Sequence, residues 1–258
     1  MSFPKISIIT VVFNKTKDLE MTLESISSQD LDDIELIIID GGSDIETLKI
    51  LNNYSSIITH LISEKDQGIY DAMNKGINLA RGKWLNFMNA GDKYFSEKTL
   101  KELNCDKLYS DYDLVIGDTV ISYDNFDKKM KIGNLQNIWK GAQFIHQSVL
   151  ISREYQIKNF YNIENKISAD FEFFYKSIKS GAKIYKVDKI ISVFKSGGIS
   201  DTKRLRALLS NMKVVMKHDF SIFKLLYYIF KLCSEFLKMI IKYFLPKKVI
   251  NFSQKVTF

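Results

Sequence analysis

Residues 7–13 form a short apolar, β-branched run, the pattern of a strand buried on both faces. Residues 17–29 then change period. Leu19, Leu23 and Ile26 recur at the spacing that lines one side of an amphipathic helix. The alternation repeats, with a second buried strand over 35–40, a helix over 44–54, a third strand over 57–63, a helix over 69–80 and a fourth strand over 84–88. This order predicts an α/β fold whose sheet is parallel and doubly wound over at least residues 5–90. Further on, the pattern predicts a helix over 97–108, a strand over 113–117 and a hairpin-like stretch rich in Lys, Asp and Asn. A helix over 168–180, an extended segment over 183–194 and a Gly/Ser loop over 195–202 follow.

Everything after about residue 204 reads as helix, with a different character. Residues 220–245 are apolar around most of the helical circumference. Lys217, Lys224, Lys231 and Lys238 recur every seven residues, and Glu235 and Lys242 fall on the same narrow side. Four internal charges make spanning a bilayer costly. The expectation is a helix lying in a membrane interface with its lysines reaching for anionic headgroups. A self-association seam and burial against the rest of the chain are the alternatives.

Charge sharpens this division. The chain of 258 residues has a formal charge of +7, but residues 1–202 carry a net −3 and residues 203–258 a net +10. The division predicts a globular unit over 1–202, with halves at about 1–95 and 96–202, and a basic, amphipathic helical tail over 203–258. Because the positive charge lies on an apolar helix and not in a polar, aromatic-dotted groove, a nucleic-acid partner is not expected. Cys105 and Cys233 offer no metal spacing and read as free thiols of a reducing compartment. The first residues lack the order of a secretory leader, so the expected location is the cytoplasm, peripheral on the inner face of the cell membrane.

In doubly wound sheets ligands sit beyond the carboxyl ends of the strands. Asn14, Asp40, Asp66 and Asp92 all fall just after predicted strands. Ordinary turn chemistry would explain any one of them alone. Their setting is more specific. The pieces are Ser7-Ile-Ile-Thr-Val-Val-Phe-Asn14, Ile37-Ile-Ile-Asp-Gly-Gly-Ser43, Ser63-Glu-Lys-Asp-Gln-Gly-Ile-Tyr-Asp-Ala-Met-Asn-Lys-Gly76, Trp84-Leu-Asn-Phe-Met-Asn-Ala-Gly-Asp92, Phe144-Ile-His-Gln-Ser148 and Ala169-Asp-Phe-Glu172. In this order and spacing, over roughly residues 5–200, the chain resembles the family 2 glycosyltransferases. Among these it is most similar to bacterial members that build capsule, lipopolysaccharide and other surface polysaccharides.

The resemblance implies the GT-A fold, a nucleotide-sugar donor (a UDP-sugar by default) and a saccharide or lipid-linked acceptor. It implies that Thr10, Val12, Phe13, Asn14, Asp40, Asp66, Gly68, Lys75, Asn89, Ala90, Gly91 and His146 serve substrate binding. Asp40 and Asp66 would face the nucleoside. Phe13 would lie against the base or else fill the core at a strand end. Gly68 permits close backbone approach at a helix start, where N–H groups favour anions. Lys75 is either a phosphate contact or a solvated surface lysine. His146 lines the acceptor or diphosphate side or is structural. Residues 195–200 are a lid over donor or a plain connector. The family's paired aspartates are reduced here to Ala90-Gly91-Asp92, leaving Asp92 as the metal carboxylate for Mn²⁺ or Mg²⁺, which would bind weakly without donor. Asp170, at a helix start, matches the base that takes the acceptor proton, with inversion implied.

Two other readings compete. A nucleotidyltransferase would need a Gly-rich, Arg-containing loop after the first strand, where this chain has Phe13-Asn14-Lys15-Thr16. An inactive scaffold at the membrane would fit the reduced metal motif, but not the joint presence of Asp40, Asp66, Asp92 and Asp170. A homo-oligomer through the tail is the remaining partner expectation.

Overall fold

The computed structural model describes residues 4–30, 32–103, 111–123, 125–196 and 204–244. Strand β1 (Ile6–Val12) is followed by α1 (Thr16–Ser27), β2 (Ile34–Asp40), α2 (Ile45–Asn53), β3 (His60–Ser63), α3 (Ile69–Leu79) and β4 (Trp84–Phe87). Next come β5 (Lys93–Tyr94), α4 (Thr99–Leu103), β6 (Leu114–Tyr123), β7 (Phe126–Met130), β8 (Val149–Ser152), α5 (Arg153–Gln156), α6 (Ala169–Lys179) and β9 (Ile184–Lys195). Helices α7 (Arg204–His218) and α8 (Ile222–Phe244) follow. The strand order across the sheet is β3-β2-β1-β4-β8-β6-β9-β5, with β7 on the side of β6.

The first four strands are parallel, and β8 reverses direction against both β4 and β6. The sheet is thus parallel where the period switches strictly between strand and helix, and mixed beyond it. Every residue of β1 is buried, and its side chains divide by period two. Ile6 and Ile8 join α1 and α2 in one apolar layer, while Ile9 and Val11 join α3 and α6 in the other. The third strand begins at His60, later than its apolar pattern suggests, because 54–57 form a turn after α2. The hairpin-like stretch is the β6–β7 pair. The expected 97–108 helix is described as α4 only, and residues 104–108, with Cys105, lie outside the described residues.

A third core joins the tail to the rest of the chain. It contains Ile138, Phe171, Tyr175, Leu208, Val214, Val215 and Tyr228. Here the structure corrects the reading of the tail lysines. Lys224 pairs with Asp219 at 2.5 Å, Lys231 Nζ donates to the Lys140 carbonyl at 2.9 Å, and Lys238 pairs with Glu235 at 2.9 Å. Tyr228 is fully buried and donates to the Trp139 carbonyl at 2.8 Å. Lys224, Tyr228, Lys231 and Glu235 of α8 therefore face the protein, Lys238 is exposed beside Glu235, and the apolar side faces out. Phe223 and Phe230 are 78% and 76% exposed, and Leu226, Leu237, Ile240 and Ile241 are exposed with them. The reason is competition for partners: the carbonyls at 139–140 and the Asp219 carboxylate satisfy the lysines and Tyr228 better than apolar contacts would. Lys247 and Lys248 lie outside the described residues.

Candidate active site

The registers Val12↔Asp40 and Asp40↔Ser63 bring the carboxyl ends of β1, β2 and β3 into line. The loops that leave them form the first wall of the site. Asp40 is fully buried, accepts from Ser43 N–H at 3.1 Å and from Ser63 Oγ at 2.6 Å, and so shapes the 41–43 turn. Asn14 takes a left-handed conformation (φ 50°). Its N–H donates to Ser43 Oγ at 2.9 Å and its side-chain oxygen accepts from Asp44 N–H at 2.8 Å. The Val12 carbonyl accepts from Gly41 N–H at 2.9 Å, while the Val12 side chain is in the core. Thr10 is likewise in the core, and its hydroxyl has no hydrogen-bond partner.

The groups turned to the cleft are Phe13 and Asp66. Phe13 is 59% exposed, which removes the core-aromatic alternative. A methyl group placed on Gly41 would lie 2.6 Å from Asp66 Oδ2 and 3.4 Å from the Phe13 ring. An open aromatic face, a carboxylate and a bare stretch of backbone thus converge on one point. Asp66 Oδ1 accepts from Gly68 N–H at 2.8 Å, and Gly68 begins α3 at φ 123°, a conformation that glycine adopts without strain. Lys75 is neither free nor simply solvated. Its ammonium lies 2.6 Å from Glu64 and 3.7 Å from Asp71, and the Glu64 hydrogen bond raises its pKa.

The Asn89–Asp92 turn after β4 is fastened to α1. Thr22 Oγ1 donates to the Asp92 carbonyl at 2.7 Å and accepts from Gly91 N–H at 3.0 Å. Ala90 is half-buried in the middle of this turn. The Asp92 carboxylate is only 5% exposed, with one oxygen accepting from Gln147 Nε2 at 2.6 Å and the other from Lys195 N–H at 3.1 Å. Burial pushes its pKa up to about 7, against the pull of those two donors. Asp18 lies beside it, bound by Lys195 Nζ at 2.7 Å and Lys15 Nζ at 3.3 Å. Burial draws the Asp18 pKa upward, but the two lysines outweigh it and hold the carboxyl below its usual range.

Among the described residues no three acidic, histidine or cysteine side chains gather to hold a cation. What is present suits an ion that brings most of its ligands with it. Each Asp92 oxygen keeps a lone pair beyond its one protein donor. Asn89 Oδ1, in the same turn, is a buried acceptor with no partner among the described residues. A hard cation can complete such a set with diphosphate oxygens and water.

The opposite wall comes from the second half of the chain. Asp170 is the second residue of α6, half-buried, and its Oδ1 accepts from the Tyr70 hydroxyl of α3 at 2.8 Å. Glu172 points elsewhere. It accepts from Asn162 and Asn165 at 3.1 and 3.0 Å and lies 3.5 Å from His218 of α7. His146 is buried against Phe87 and Phe174, and its Nε2 is 2.8 Å from the Tyr161 hydroxyl. Burial drives its pKa down to about 4, so it is neutral and takes the structural of the two roles open to it. Asn74 of α3 clamps Tyr161 through both its backbone groups, at 2.9 and 3.0 Å. Residues 197–200 of the expected lid lie outside the described residues.

The family model for glycosyl transferase family 2 matches residues 7–198. The chain belongs to this family. Relatives of the glycosyltransferase include a PGL/p-HBAD biosynthesis glycosyltransferase of Mycobacterium bovis, 31% identical over 211 residues, covering 78% of this chain and 81% of that one. A glycosyltransferase of Haemophilus influenzae is 28% identical, covering 69% and 74%. Among solved structures, TarS 1-349 of S. aureus in complex with UDP has a TM-score of 0.65 at 17% identity, covering 84% of this chain and 67% of that one. The mannosyltransferase PcManGT of Pyrobaculum calidifontis, in complex with GDP-Man and Mn²⁺, has a TM-score of 0.64 at 15% identity, covering 84% and 64%. These likenesses establish the GT-A fold of this transferase.

Motif reading singled out Phe13, Asp66, Asp92 and Asp170 as site residues and did not single out Tyr70, Gln147, Asp18 or Lys195, which contact or adjoin them. Gln147 had a signal, since it adjoins His146 in one quoted motif. Asp18 had none, because an acid in the first turn of a helix is ordinary dipole compensation.

Proposed function

We propose that the protein is an inverting glycosyltransferase that moves a sugar from a nucleotide donor, a UDP-sugar first, to a saccharide or lipid-linked acceptor of a bacterial surface polysaccharide. The convergence of the Phe13 ring and the Asp66 carboxylate on Gly41 carries the reading. A planar base stacks on the aromatic face, and its N–H groups meet the carboxylate. Asp40 and Asn14 act by holding the loop that carries Gly41 against Asp66 and Phe13. The diphosphate extends toward the Asn89–Asp92 turn. There Asp92 and Asn89 would hold Mn²⁺ or Mg²⁺, which when bound neutralises charge on the leaving phosphate.

Asp170 is the base. As the acceptor oxygen bonds to the anomeric carbon, the bond from that carbon to the diphosphate breaks on the opposite side. The acceptor proton passes to Asp170 and the nucleoside diphosphate leaves. The outward apolar side of α8 lies on an anionic lipid surface, attracted by the net +10 of residues 203–258. No helix among the described residues is long and apolar enough to cross a membrane.

Calorimetric titration of UDP, GDP and dTDP, with and without Mn²⁺, tests the donor assignment. The expected result is binding of UDP at least tenfold tighter with Mn²⁺ present. Binding of GDP or dTDP alone would reassign the nucleotide, and no binding of any of the three by folded protein would favour an inactive scaffold.

A further inference from the structure

Tyr70 is buried in the first turn of α3, the helix whose start carries the Asp66–Gly68 turn of the nucleoside side. Its hydroxyl crosses to the other half of the molecule and meets Asp170 Oδ1 at 2.8 Å, with the Ile167 carbonyl at 3.2 Å. A phenol has one proton, and the shorter contact to a carboxylate is the stronger bond. Asp170 Oδ2 has no partner among the described residues. We propose that Tyr70 is a positioning residue for transfer: its hydroxyl holds one oxygen of Asp170, turns the other toward the acceptor, and ties the base to the donor-binding helix. The proposal rests on the reading of Asp170 as the base.

Burial and the neighbouring Asp170 keep the Tyr70 phenol well above its ordinary pKa, so it remains a donor throughout the working range. The other titratable groups facing Asp170 are Tyr161, whose phenol is also raised by burial, and His146, which burial keeps neutral. Glu172 faces away, toward α7. Tyr70 is therefore the strong hydrogen-bond donor to this carboxylate among the described side chains. A donor to the ionised form favours that form.

The test is the carbon-13 resonance of the Asp170 side-chain carboxyl in ligand-free protein at one fixed pH, with Asp170→Asn used to assign it. Tyr70→Phe keeps the ring that packs on Tyr161 at 5.8 Å and removes only the hydroxyl. The expected result is a displaced carboxyl resonance, because the hydrogen bond to one of its oxygens is gone. Tyr161→Phe, which removes a hydroxyl from the same aromatic cluster but not from Asp170, is expected to leave that resonance in place. An unmoved resonance in Tyr70→Phe overturns the proposal. So does an equal displacement in both variants, which would mark a general loosening of the cluster. With any donor the wild type turns over, Tyr70→Phe should lower kcat about tenfold and leave KM within twofold. Near-normal turnover by Asp170→Asn would instead remove Asp170 as the base, a failure distinct from that of the Tyr70 bond.

Discussion

The nucleotide half and the tail use opposite polarities on one framework. In the nucleotide half the apolar residues are inside and the polar groups gather at the strand ends, as at Asp66 beside Phe13. In α8 Lys224, Tyr228, Lys231 and Glu235 face the protein, and Phe223, Leu226, Phe230 and Leu237 face out. A helix on a water-facing surface shows its polar face to water, so this inversion leaves an exposed apolar surface of the kind that marks an interaction site. Burial on the inner side needs partners for every charge, and the structure supplies them: Arg204 and Lys238 for Glu235, and Lys179 and Lys224 for Asp219. The lesson is that periodic lysines identify a stripe but not the side it faces. Where they point depends on acceptors both near, as Asp219 is to Lys224, and far, as the Lys140 carbonyl is to Lys231.

The comparison breaks most sharply at the outer face. Combined Phe223→Ser, Phe230→Ser and Leu237→Ser should leave the fold intact, because these side chains touch little of the protein. They should weaken partition onto vesicles rich in anionic phospholipid by about a thousandfold, from a loss of ~4 kcal/mol of apolar transfer shared over three residues. Vesicle sedimentation measures it. Lys224→Gln with Lys231→Gln should act the other way, lowering the melting temperature more than it lowers lipid affinity. If the wild type stays in solution as a dimer that the triple variant converts to monomer, the outer face joins two copies and the lipid assignment fails.

The second contrast is between ways of burying a titratable group. The α/β part of the chain buries His146 neutral among aromatic rings, whereas the seam to the tail holds charges as part-exposed pairs. The unfolded chain takes up a proton at His146 near pH 6.5, and the folded one only near 4. Its contribution is therefore complete above pH 6.5 and is lost as the pH falls toward 4, by up to about 3 kcal/mol. Asp219, held by Lys179 and Lys224 down to about 2, stays ionised across that window. Denaturant unfolding at pH 7, 5.5 and 4.5 should show stability falling with acid, and His146→Gln should flatten that fall. A fall of equal steepness in the variant would place the acid sensitivity elsewhere.

How much of this was legible in the sequence follows from range. The parallel sheet was readable because each β1–β4 strand declares itself by a local apolar run, and the turns after them by Asn, Asp and Gly. Phe13, Asp66 and Asp170 stood out through motif order, and the structure exposes the Phe13 ring and brings Asp66 beside it. Strands β5 and β8, two and four residues long, were not, since they exist only by pairing with β9 and with β4 and β6. The placement of Asp40 also escaped. A strand-end aspartate can face a ligand or knit its own loop, and only the geometry of Ser43 and Ser63 decides for the loop. Tyr70 read as one aromatic in a helix, because its partner lies 100 residues on.

The smallest expected effect tests how finely the nucleotide side is fitted. Gly41 carries no side chain at the point where Asp66 and Phe13 meet, and its Cβ would fall 2.6 Å from a carboxylate oxygen. Real Cβ atoms do not approach an oxygen so closely, so Gly41→Ala must displace the Asp66 side chain. That carboxylate also holds Gly68 N–H at the start of α3, and the movement strains this bond as well. The barrier to a shift is low because Asp66 is only half-buried. The expected outcome is a nucleoside diphosphate affinity reduced about tenfold, roughly 1.4 kcal/mol, with a melting temperature changed by only a degree or two. Removal of a side-chain atom on the tail's outer face, Cys233→Ala, should change neither quantity, since that thiol is exposed and free. Unchanged nucleotide affinity in Gly41→Ala would mean that the base does not lie between Phe13 and Asp66, and the donor would have to enter the cleft from another side.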